Sequence, residues 1–411
     1  MSDCCSAPGL LPFETALEKM LGSITPIVET LELAIDDAQH YVLAEDVLSP
    51  MNVPPHDNSA MDGYAFAADS LKDGMVLTLA GKSFAGAPFA GVCRAGECVR
   101  IMTGAKLPAG CDTVEMQENC TVIGAGIEFL KPRSRGDHVR NAGEDIKSGQ
   151  AVLAKGHRLT AVDIGVLASL GLGTVKVYRK LNVALIATGD ELKSPGQVLT
   201  PGDIYESNSY VLSALLKKLN VNVIDFGIIQ DDYQLIKEAF VKADEQADAV
   251  ISSGGVSVGE ADYTKDVLDE LGQIDFWKIA IKPGKPFAFG QLSNSIFFGL
   301  PGNPVSALVT AHQLALPGLL KLQNAEPVKR ITVTATTVTD LRKSPGRMDL
   351  QRGVLSVNET GENIVTSTGA QGSGILSSLA RANCYIVLPR EQGRVAAGEQ
   401  VSVQLFDQYL Q

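Results

Sequence analysis

Apolar residues between positions 181 and 320 follow two alternating patterns. Short, continuous apolar runs, typical of strands buried on both faces, are separated by stretches in which apolar residues recur every three or four positions. In the first of these stretches Leu212, Leu215, Leu216 and Leu219 share one helical face. Alternating strands and helices predict a doubly wound, mostly parallel α/β sheet. The predicted strands are 182–188, 221–229, 247–254, 286–292 and 295–300, and the predicted helices are 208–219, 233–246, 261–272 and 304–315.

The preceding part of the chain has a different pattern. Residues 11–50 and 159–170 have helical periodicity, and within the first stretch Leu31, Leu33 and Ile35 begin a second periodic segment. Between these helical stretches, short apolar runs separated by Gly, Pro and Asp turns predict a small β domain inserted into a helical one. The runs are 76–81, 97–102, 112–117 and 126–131.

After Pro327 only strand patterns occur, which predicts a small β barrel or sandwich. These runs are 331–338, 350–357, 363–368, 384–389 and 399–406. The whole chain is therefore expected to be a multidomain α/β plus β protein. The predicted domains are a helical N-terminal domain (8–50 plus 148–180), an inserted β-rich domain (51–147), the α/β domain (181–328) and a C-terminal β domain (329–411).

Length and composition agree with several globular domains. The chain has 411 residues, more than one hydrophobic core usually serves, and 45% of them are hydrophobic against 20% charged. No apolar run reaches the roughly 18 residues of a membrane-spanning helix, and the start lacks the features of a signal peptide. We therefore expect a cytoplasmic protein with no membrane association.

Charge and the cysteine and histidine residues exclude further classes. The net charge of −12 argues against nucleic-acid binding. Residues 274–352 nevertheless hold ten basic and four acidic residues, a local charge of +6, which either attracts a small anion or is a chance cluster of solvated lysines. The seven cysteines include no CxxC pair and the five histidines no HxxxH pair, so a disulfide framework and a zinc site are not expected.

Unusual loops follow the predicted strands of the α/β domain. In open parallel sheets, ligands bind beyond the carboxyl ends of the strands. Glycines let a ligand approach the backbone, helix starts bind anions, and the carboxylates in these loops could hold a divalent cation. Each loop alone is more often an ordinary turn or helix cap, but four at one sheet edge favour a phosphate-binding site. The loops are 188–192, 230–232, 252–264 and 299–307.

Common nucleotide-binding motifs are not found. Gly81-Lys-Ser83 resembles the end of a P-loop, but the earlier glycine would fall at Val76 and no helical pattern follows. No GxGxxG motif follows a strand. ATP hydrolysis by a P-loop and dinucleotide binding are therefore both disfavoured.

Basic residues surround a Pro-Gly turn that follows the third loop. Lysines 278, 282 and 285 lie there, and ammonium groups on a constrained turn suit an oxyanion, although a solvated hairpin explains them equally well. Arg347 and Arg352, with the glycine-rich segment 369–374, could add donors from the C-terminal domain. In the inserted domain, segments 57–65, 100–104 and 143–145 are interpreted, on their residues alone, as turns.

Taken together, the motifs resemble those of the molybdopterin molybdenumtransferase family, which includes MoeA and the gephyrin E-domain. The resemblance extends from about residue 10 to residue 411, with the motifs in the same order. The motifs are SAMDGYA (59–65), RIMTGA (100–105), GEDI (143–146), TGDEL (188–192), SSGGVSVGEADYT (252–264), AIKPGKPFAFG (280–290) and GLPGNPVSA (299–307).

The resemblance implies an activity and an assembly. Members of the family insert molybdate into adenylylated molybdopterin, release AMP and yield molybdenum cofactor, with Mg²⁺ required. It implies a MogA/MoaB-like central domain and a homodimer. Each active cleft would lie between the α/β and C-terminal β domains of one subunit and face the inserted domain of the other. Transient contacts with other proteins of molybdenum-cofactor biosynthesis are also expected, but none with nucleic acid or membranes.

The resemblance and the loop pattern also name site residues. Carboxylates beside phosphates repel unless a cation intervenes, so we expect Asp231 and Asp262, with Glu191, to hold Mg²⁺. The expected catalytic residues are Asp62, Asp145, Glu191, Asp231 and Asp262. The expected substrate-binding residues are Thr103, Ser252, Gly254, Gly255, Lys278, Lys282, Lys285, Pro301, Gly302, Asn303, Pro304, Arg352 and Ser373.

Two other functions stay open. The α/β region also resembles the family that makes adenylylated molybdopterin, so the chain could be a molybdopterin adenylyltransferase. The E-domain of gephyrin also clusters receptors, so a non-catalytic scaffold is a further alternative. The four-domain layout favours molybdenum insertion, and the chain lacks gephyrin's long linker and companion domain.

Overall fold

The chain folds into two compact units. The computed structural model describes residues 9–71, 76–131, 133–255 and 263–410. Among these, one unit contains the residues up to Leu31, residues 40–42 and those from Val177 onward, and the other contains 32–39 and 43–176. The boundaries of the four predicted domains stay a prediction.

The first part of the chain is mostly strand. A six-stranded sheet, in the order β7–β4–β6–β5–β9–β8, forms the inserted β-rich region, and its strands confirm the four predicted apolar runs. The elements are α1 (Phe13–Ser23), β1 (Thr30–Ala34), β2 (Val47–Leu48), β3 (Asn58–Ser59), β4 (Gly63–Phe66), β5 (Val76–Ser83), β6 (Glu97–Ile101), β7 (Thr113–Met116), β8 (Cys120–Ile123), β9 (Gly126–Phe129), β10 (Val139–Arg140), β11 (Ala151–Leu153), α2 (Ala161–Ser169) and β12 (Thr174–Tyr178).

Two predictions for this part were wrong. Leu31 and Leu33 lie in a strand, not a helix, because their spacing of two residues is the period of a strand. The segment interpreted as a turn at 57–65 contains the inner strand β4, whose Tyr64 side chain packs in a buried cluster. Gly63 permits this strand pairing, because a Cβ there would lie 1.8 Å from the carbonyl oxygen of Glu115.

The next region is the predicted doubly wound sheet. Its order is β16–β13–β17–β21–β20–β18; the first four strands pair in parallel, and β20 is antiparallel to both of its neighbours, β21 and β18, which confirms a mostly parallel α/β domain. The elements are β13 (Asn182–Thr188), β14 (Leu192–Lys193), β15 (Ile204–Tyr205), α3 (Asn208–Lys218), β16 (Asn222–Ile229), α4 (Tyr233–Gln246), β17 (Ala249–Ser253), α5 (Tyr263–Leu271), β18 (Gln273–Lys278), β19 (Ile281–Lys282), β20 (Pro286–Gln291), β21 (Ile296–Leu300), α6 (Pro304–Thr310) and α7 (Leu316–Leu322).

Helices cover both faces of this sheet. One core cluster joins α1, α3 and the α6–α7 helix to alternate residues of the strands, such as Val183 and Leu185. The other joins α4 and α5 to the intervening residues, such as Ala184 and Ile186. Among the described residues, one helix, Pro304–Leu322, is long and apolar enough to cross a membrane, but 89% of its apolar window is buried, as in the core helix of a globular domain.

The C-terminal strands close into a barrel. They follow the order β23–β24–β22–β26–β25, and β25 also pairs with β23, which completes the ring. The strand β19 of the α/β region pairs in parallel with β23, so the two regions are joined by backbone hydrogen bonds. The elements are β22 (Thr332–Thr337), β23 (Met348–Val357), β24 (Asn363–Ser367), α8 (Ser377–Ala380), β25 (Cys384–Leu388) and β26 (Gln400–Leu405).

A glycine shapes the turn that carries the predicted lysines. Gly284 has a φ of +107°, and a Cβ there would lie 2.4 Å from Oγ1 of the buried Thr310. We expect Gly284→Ala to lower the free energy of unfolding by about 2 kcal/mol, as measured by urea denaturation, because both backbone and packing become strained. Gly196→Ala is the matched control, because Gly196 has a φ of +93° and a Cβ there would meet no atom within 4 Å. If the free energy of unfolding fell equally in the two variants, the contact with Thr310 would have no effect, which would contradict the packing argument.

Candidate functional site

The predicted loops meet at one cleft. A cavity of about 950 Å³ lies at the carboxyl edge of the sheet, and the loops after β13, β16, β17 and β21 all contribute to its wall. The prediction that these loops share one edge is confirmed. The predicted site residues on the wall are Glu191, Asp231, Gly254, Gly255, Pro301, Gly302, Asn303 and Pro304, and Gly374 joins them from the C-terminal region.

Two glycines bring the backbones of these loops together. Gly254 and Gly255 have φ angles of +98° and +66°, in the left-handed region that favours glycine. A Cβ at Gly254 would lie 2.8 Å from the carbonyl oxygen of Thr188. The N–H of Gly254 donates to the carbonyl oxygen of Leu300 at 3.1 Å. The loop after β17 is thus packed against the ends of both neighbouring strands.

Asn208 ties two of the loops to the start of α3. Its side chain is 8% exposed, and Nδ2 donates to Oγ of Ser253 at 2.7 Å and to the carbonyl oxygen of Gly302 at 2.8 Å. Asn208 was not predicted as a site residue, because an asparagine at the start of a helix is indistinguishable in sequence from a capping residue.

The contacts of Asn208 predict a loss of activity on truncation. We expect Asn208→Ala to lower the catalytic efficiency at least about tenfold, because a displacement of cleft loops by 1 Å can cost up to a hundredfold. The variant Asn222→Ala is the matched control, since Asn222 donates to Oδ1 of Asn182 on the exposed surface. Steady-state kinetics would test this, and equal activity of the two variants would show that the bridge has no role.

Acidic side chains crowd one wall of the cleft. The N–H of Asp231 donates to Oδ1 of Asp190 at 3.1 Å. Burial, together with the nearby carboxylates of Asp190 and Glu191, raises the pKa of Asp231. Crowded carboxylate oxygens are the donors that a divalent cation prefers, so the chemistry of this wall fits Mg²⁺. Asp262 lies outside the described residues, and within those residues no group of three His, Cys, Asp or Glu side chains is arranged to hold a metal ion.

The predicted lysines lie off the cleft wall. Lys282 is half-buried, and its Nζ is 3.2 Å from Oδ2 of the buried Asp349 in β23. Lys278 and Lys285 are exposed at the two ends of the turn. None of the three lines the cavity in the described part of the chain. The ion pair instead connects the turn to the C-terminal barrel.

Arg352 lies behind the glycine-rich loop of the C-terminal region. Its side chain is fully buried; Nε donates to Oγ of Ser378 at 3.0 Å and Nη2 to the carbonyl oxygen of Gly372 at 3.1 Å. Nη1 has no hydrogen-bond partner among the described residues. Burial lowers the pKa of this guanidinium. The carbonyl oxygen of Ser373 accepts from the N–H of Val305 at 2.9 Å, so the loop that Arg352 supports reaches the start of α6.

Ser252 was predicted to bind substrate, but its side chain does not lie on the cleft wall. It is fully buried, and its Oγ has no hydrogen-bond partner in the described structure. The cleft wall is formed by the next residue, Ser253. Successive side chains of a strand point to opposite faces, so a shift of one residue exchanges wall and core.

The remaining predicted residues belong to the other compact unit. The N–H and Oγ1 of Thr103 both donate to Oδ1 of Asp62, at 2.7 and 2.8 Å. These hydrogen bonds lower the pKa of Asp62 and keep the carboxylate ionised. Asp145 is exposed, and its N–H donates to the carbonyl oxygen of Val53 at 3.0 Å. The resemblance thus identified a hydrogen-bonded pair of side chains 41 residues apart in the chain.

A doubly wound sheet whose glycine-rich loops line one cleft is typical of proteins that bind phosphate-bearing ligands. Three family models match this chain in order. They are the MoeA N-terminal region (domain I and II) over residues 11–171, a probable molybdopterin binding domain over 184–321 and the MoeA C-terminal region (domain IV) over 334–406.

Relatives match over almost the whole length. A molybdopterin molybdenumtransferase of Haemophilus influenzae is 47% identical, covering 98% of this chain and 100% of that protein. Gephyrin of Dictyostelium discoideum is 30% identical, covering 96% of this chain and 62% of that protein. The crystal structure of a molybdopterin biosynthesis MoeA protein from Pyrococcus horikoshii superposes with a TM-score of 0.84 at 30% identity, covering 97% of this chain and 100% of that one. This chain belongs to the MoeA family of molybdopterin molybdenumtransferases.

Proposed function

We propose that this chain inserts molybdate into adenylylated molybdopterin, releasing AMP and yielding molybdenum cofactor. The observation that carries the proposal is the single cleft, where glycine-rich loops, crowded carboxylates and the C-terminal loop at Gly374 lie together. Both reactants are anions, and one contains a phosphoanhydride bond that must break. The names of full-length relatives agree with this activity.

Backbone and cationic groups would bind the two anions. Gly302 and its neighbours let the phosphates approach the backbone at the start of α6. Lys282, Lys285 and Ser373 would hold molybdate beside the dithiolene, and the buried Arg352 would position the loop that contains Ser373. Its hydrogen bonds to Ser378 and to the carbonyl oxygen of Gly372 would hold that loop in place for the anion.

The acidic wall would hold the cation. Asp231 and Glu191, with Asp262, would be the ligands of Mg²⁺, either directly or through water. When bound, the cation polarises the phosphoanhydride and offsets the charge of the phosphates. The crowding that raises the pKa of Asp231 supports this assignment, since a divalent cation would relieve the repulsion among the carboxylates.

The inserted region would contribute side chains to the active cleft of the second subunit. These side chains would be Asp62, Thr103 and Asp145. This proposal predicts complementation: a mixture of the Asp62→Asn and Asp231→Asn chains, unfolded and refolded together, would regain about a quarter of the wild-type activity. Half of the dimers would be mixed, and one of the two clefts in each would carry no substitution. Recovery no greater than the sum of the separate variants would contradict a shared cleft.

The activity itself is tested with purified substrates. Incubation with adenylylated molybdopterin, with and without molybdate, should release AMP only when molybdate is present. Accumulation of adenylylated product from ATP and molybdopterin would instead support the adenylyltransferase alternative. A cleft-blocking variant that leaves the cellular phenotype unchanged would support the scaffold.

A further inference from the structure

A side pocket opens beside the cleft at Glu206. It has a volume of about 370 Å³, and Glu206 lines both cavities. One wall is a single face of α3, with Ser209, Tyr210, Ser213 and Lys217 at helical spacing. The opposite wall is the edge strand β16. The pocket therefore extends the cleft along α3, away from the loops that would bind the phosphates.

Glu206 is a buried acid with unused hydrogen-bonding capacity. It is 5% exposed, and Oε1 accepts from the N–H of Ser209 at 2.8 Å. Oε2 accepts no hydrogen bond from the described residues. Each carboxylate oxygen has two lone pairs, so Oε1 can accept once more. Oε2 is not among the buried atoms that lack a partner, so it is open to the pocket and free to accept from a ligand there.

We propose that this pocket binds the pterin ring of the substrate, with Glu206 as the acceptor for its pyrimidine edge. The inference rests on the proposed function. A pterin presents two neighbouring donors, the 2-amino group and the adjacent ring N–H, which match the two oxygens of one carboxylate. Adenine has no such pair of donors, because the ring nitrogens on either side of its amino group accept hydrogen bonds and do not donate them.

The other side chains of the pocket suit the same ligand. Tyr210 is 60% exposed and offers an aromatic face on which a flat bicyclic ring can stack. Ser209 and Ser213 can donate to the ring acceptors. A carboxylate can also bind the hydroxyl groups of a ribose, so binding of the nucleotide end is the competing result.

The test compares two ligands on one conservative variant. Glu206→Gln keeps an oxygen for the N–H of Ser209 but replaces the second acceptor with a donor. We expect the Kd for 6-hydroxymethylpterin, measured by calorimetry, to rise at least about tenfold, and the Kd for AMP to stay unchanged. Unchanged AMP binding and melting temperature show that the variant folds. Glu238→Gln, at an exposed glutamate of α4, is the matched control.

Three results would overturn the inference. They are an unchanged Kd for the pterin, a weakened binding of AMP instead, and no detectable binding of the pterin to the wild-type protein. If one of these results is obtained while the wild-type protein still releases AMP in a molybdate-dependent way, the assignment of the pterin site is wrong but the proposed function stands. Absence of that release would contradict the proposed function itself.

Discussion

Replacement of Asp231 with asparagine is expected to lower molybdate-dependent AMP release about a hundredfold while the protein becomes no less stable. The loss follows because the variant removes one of the charged oxygens proposed to hold Mg²⁺. The free energy of unfolding is expected to stay the same or to rise, because the substitution also removes a negative charge from a crowded wall. The raised pKa of Asp231 means that folding disfavours its ionised form, so removal of the charge relieves repulsion at neutral pH.

The raised pKa of Asp231 also predicts how the Mg²⁺ requirement of the reaction depends on pH. Protons compete with the cation for Asp231, and a raised pKa makes this competition begin at a higher pH than for an ordinary aspartate. The Mg²⁺ concentration needed for half-maximal rate should therefore increase as the pH falls. Asp269→Asn, at an exposed position of α5, is the control. An unchanged rate for the Asp231 variant at limiting Mg²⁺ would contradict the assignment.

Replacement of Arg352 with methionine is expected to have the largest effect on stability. The variant removes the donors to the carbonyl oxygen of Gly372 and to Oγ of the buried Ser378 and changes the packing of a fully buried side chain, which should lower the free energy of unfolding by about 2–4 kcal/mol. The KM for molybdate should rise as well, because the supported loop reaches α6 through Ser373.

Two further variants distinguish the effect of the shape of the Arg352 side chain from the effect of its charge. Arg352→Lys should not rescue either property, because one ammonium nitrogen cannot replace both Nε and Nη2, which donate to Ser378 and Gly372 from separate positions of the planar guanidinium. Arg394→Met removes an exposed ion pair with Asp340 and should leave the stability nearly unchanged. Full stability of the Arg352→Lys variant in thermal unfolding would show that charge alone matters at this position.

The α/β core was predictable because its pattern is strong. Strand β13 was predicted at its observed bounds, since the five successive apolar residues 183–187 indicate a strand buried on both faces. Strand β4 was missed because it is four residues long and begins at the glycine of an Asp-Gly pair typical of a turn. Its burial depends on neighbours in the sheet that come later in the chain, which local patterns do not contain.

The site was predictable only in part, for a related reason. The edge of the sheet at which the loops meet follows from parallel topology, so Glu191, Asp231 and Pro301 were assigned to one cleft correctly. Which side chains of the basic region reach that cleft depends on packing between the sheet and the barrel. That packing buries Arg352 and pairs Lys282 with Asp349, and neither contact follows from spacing along the chain.

A crystal structure of the protein grown with AMP, molybdate and Mg²⁺ tests the central claim most directly. The account predicts AMP phosphate at the loops around Gly302, the cation at Asp231, and molybdate between the Lys282 turn and the loop at Ser373. Anions bound only at scattered surface lysines, with an empty cleft in a protein that still releases AMP from substrate, would contradict it.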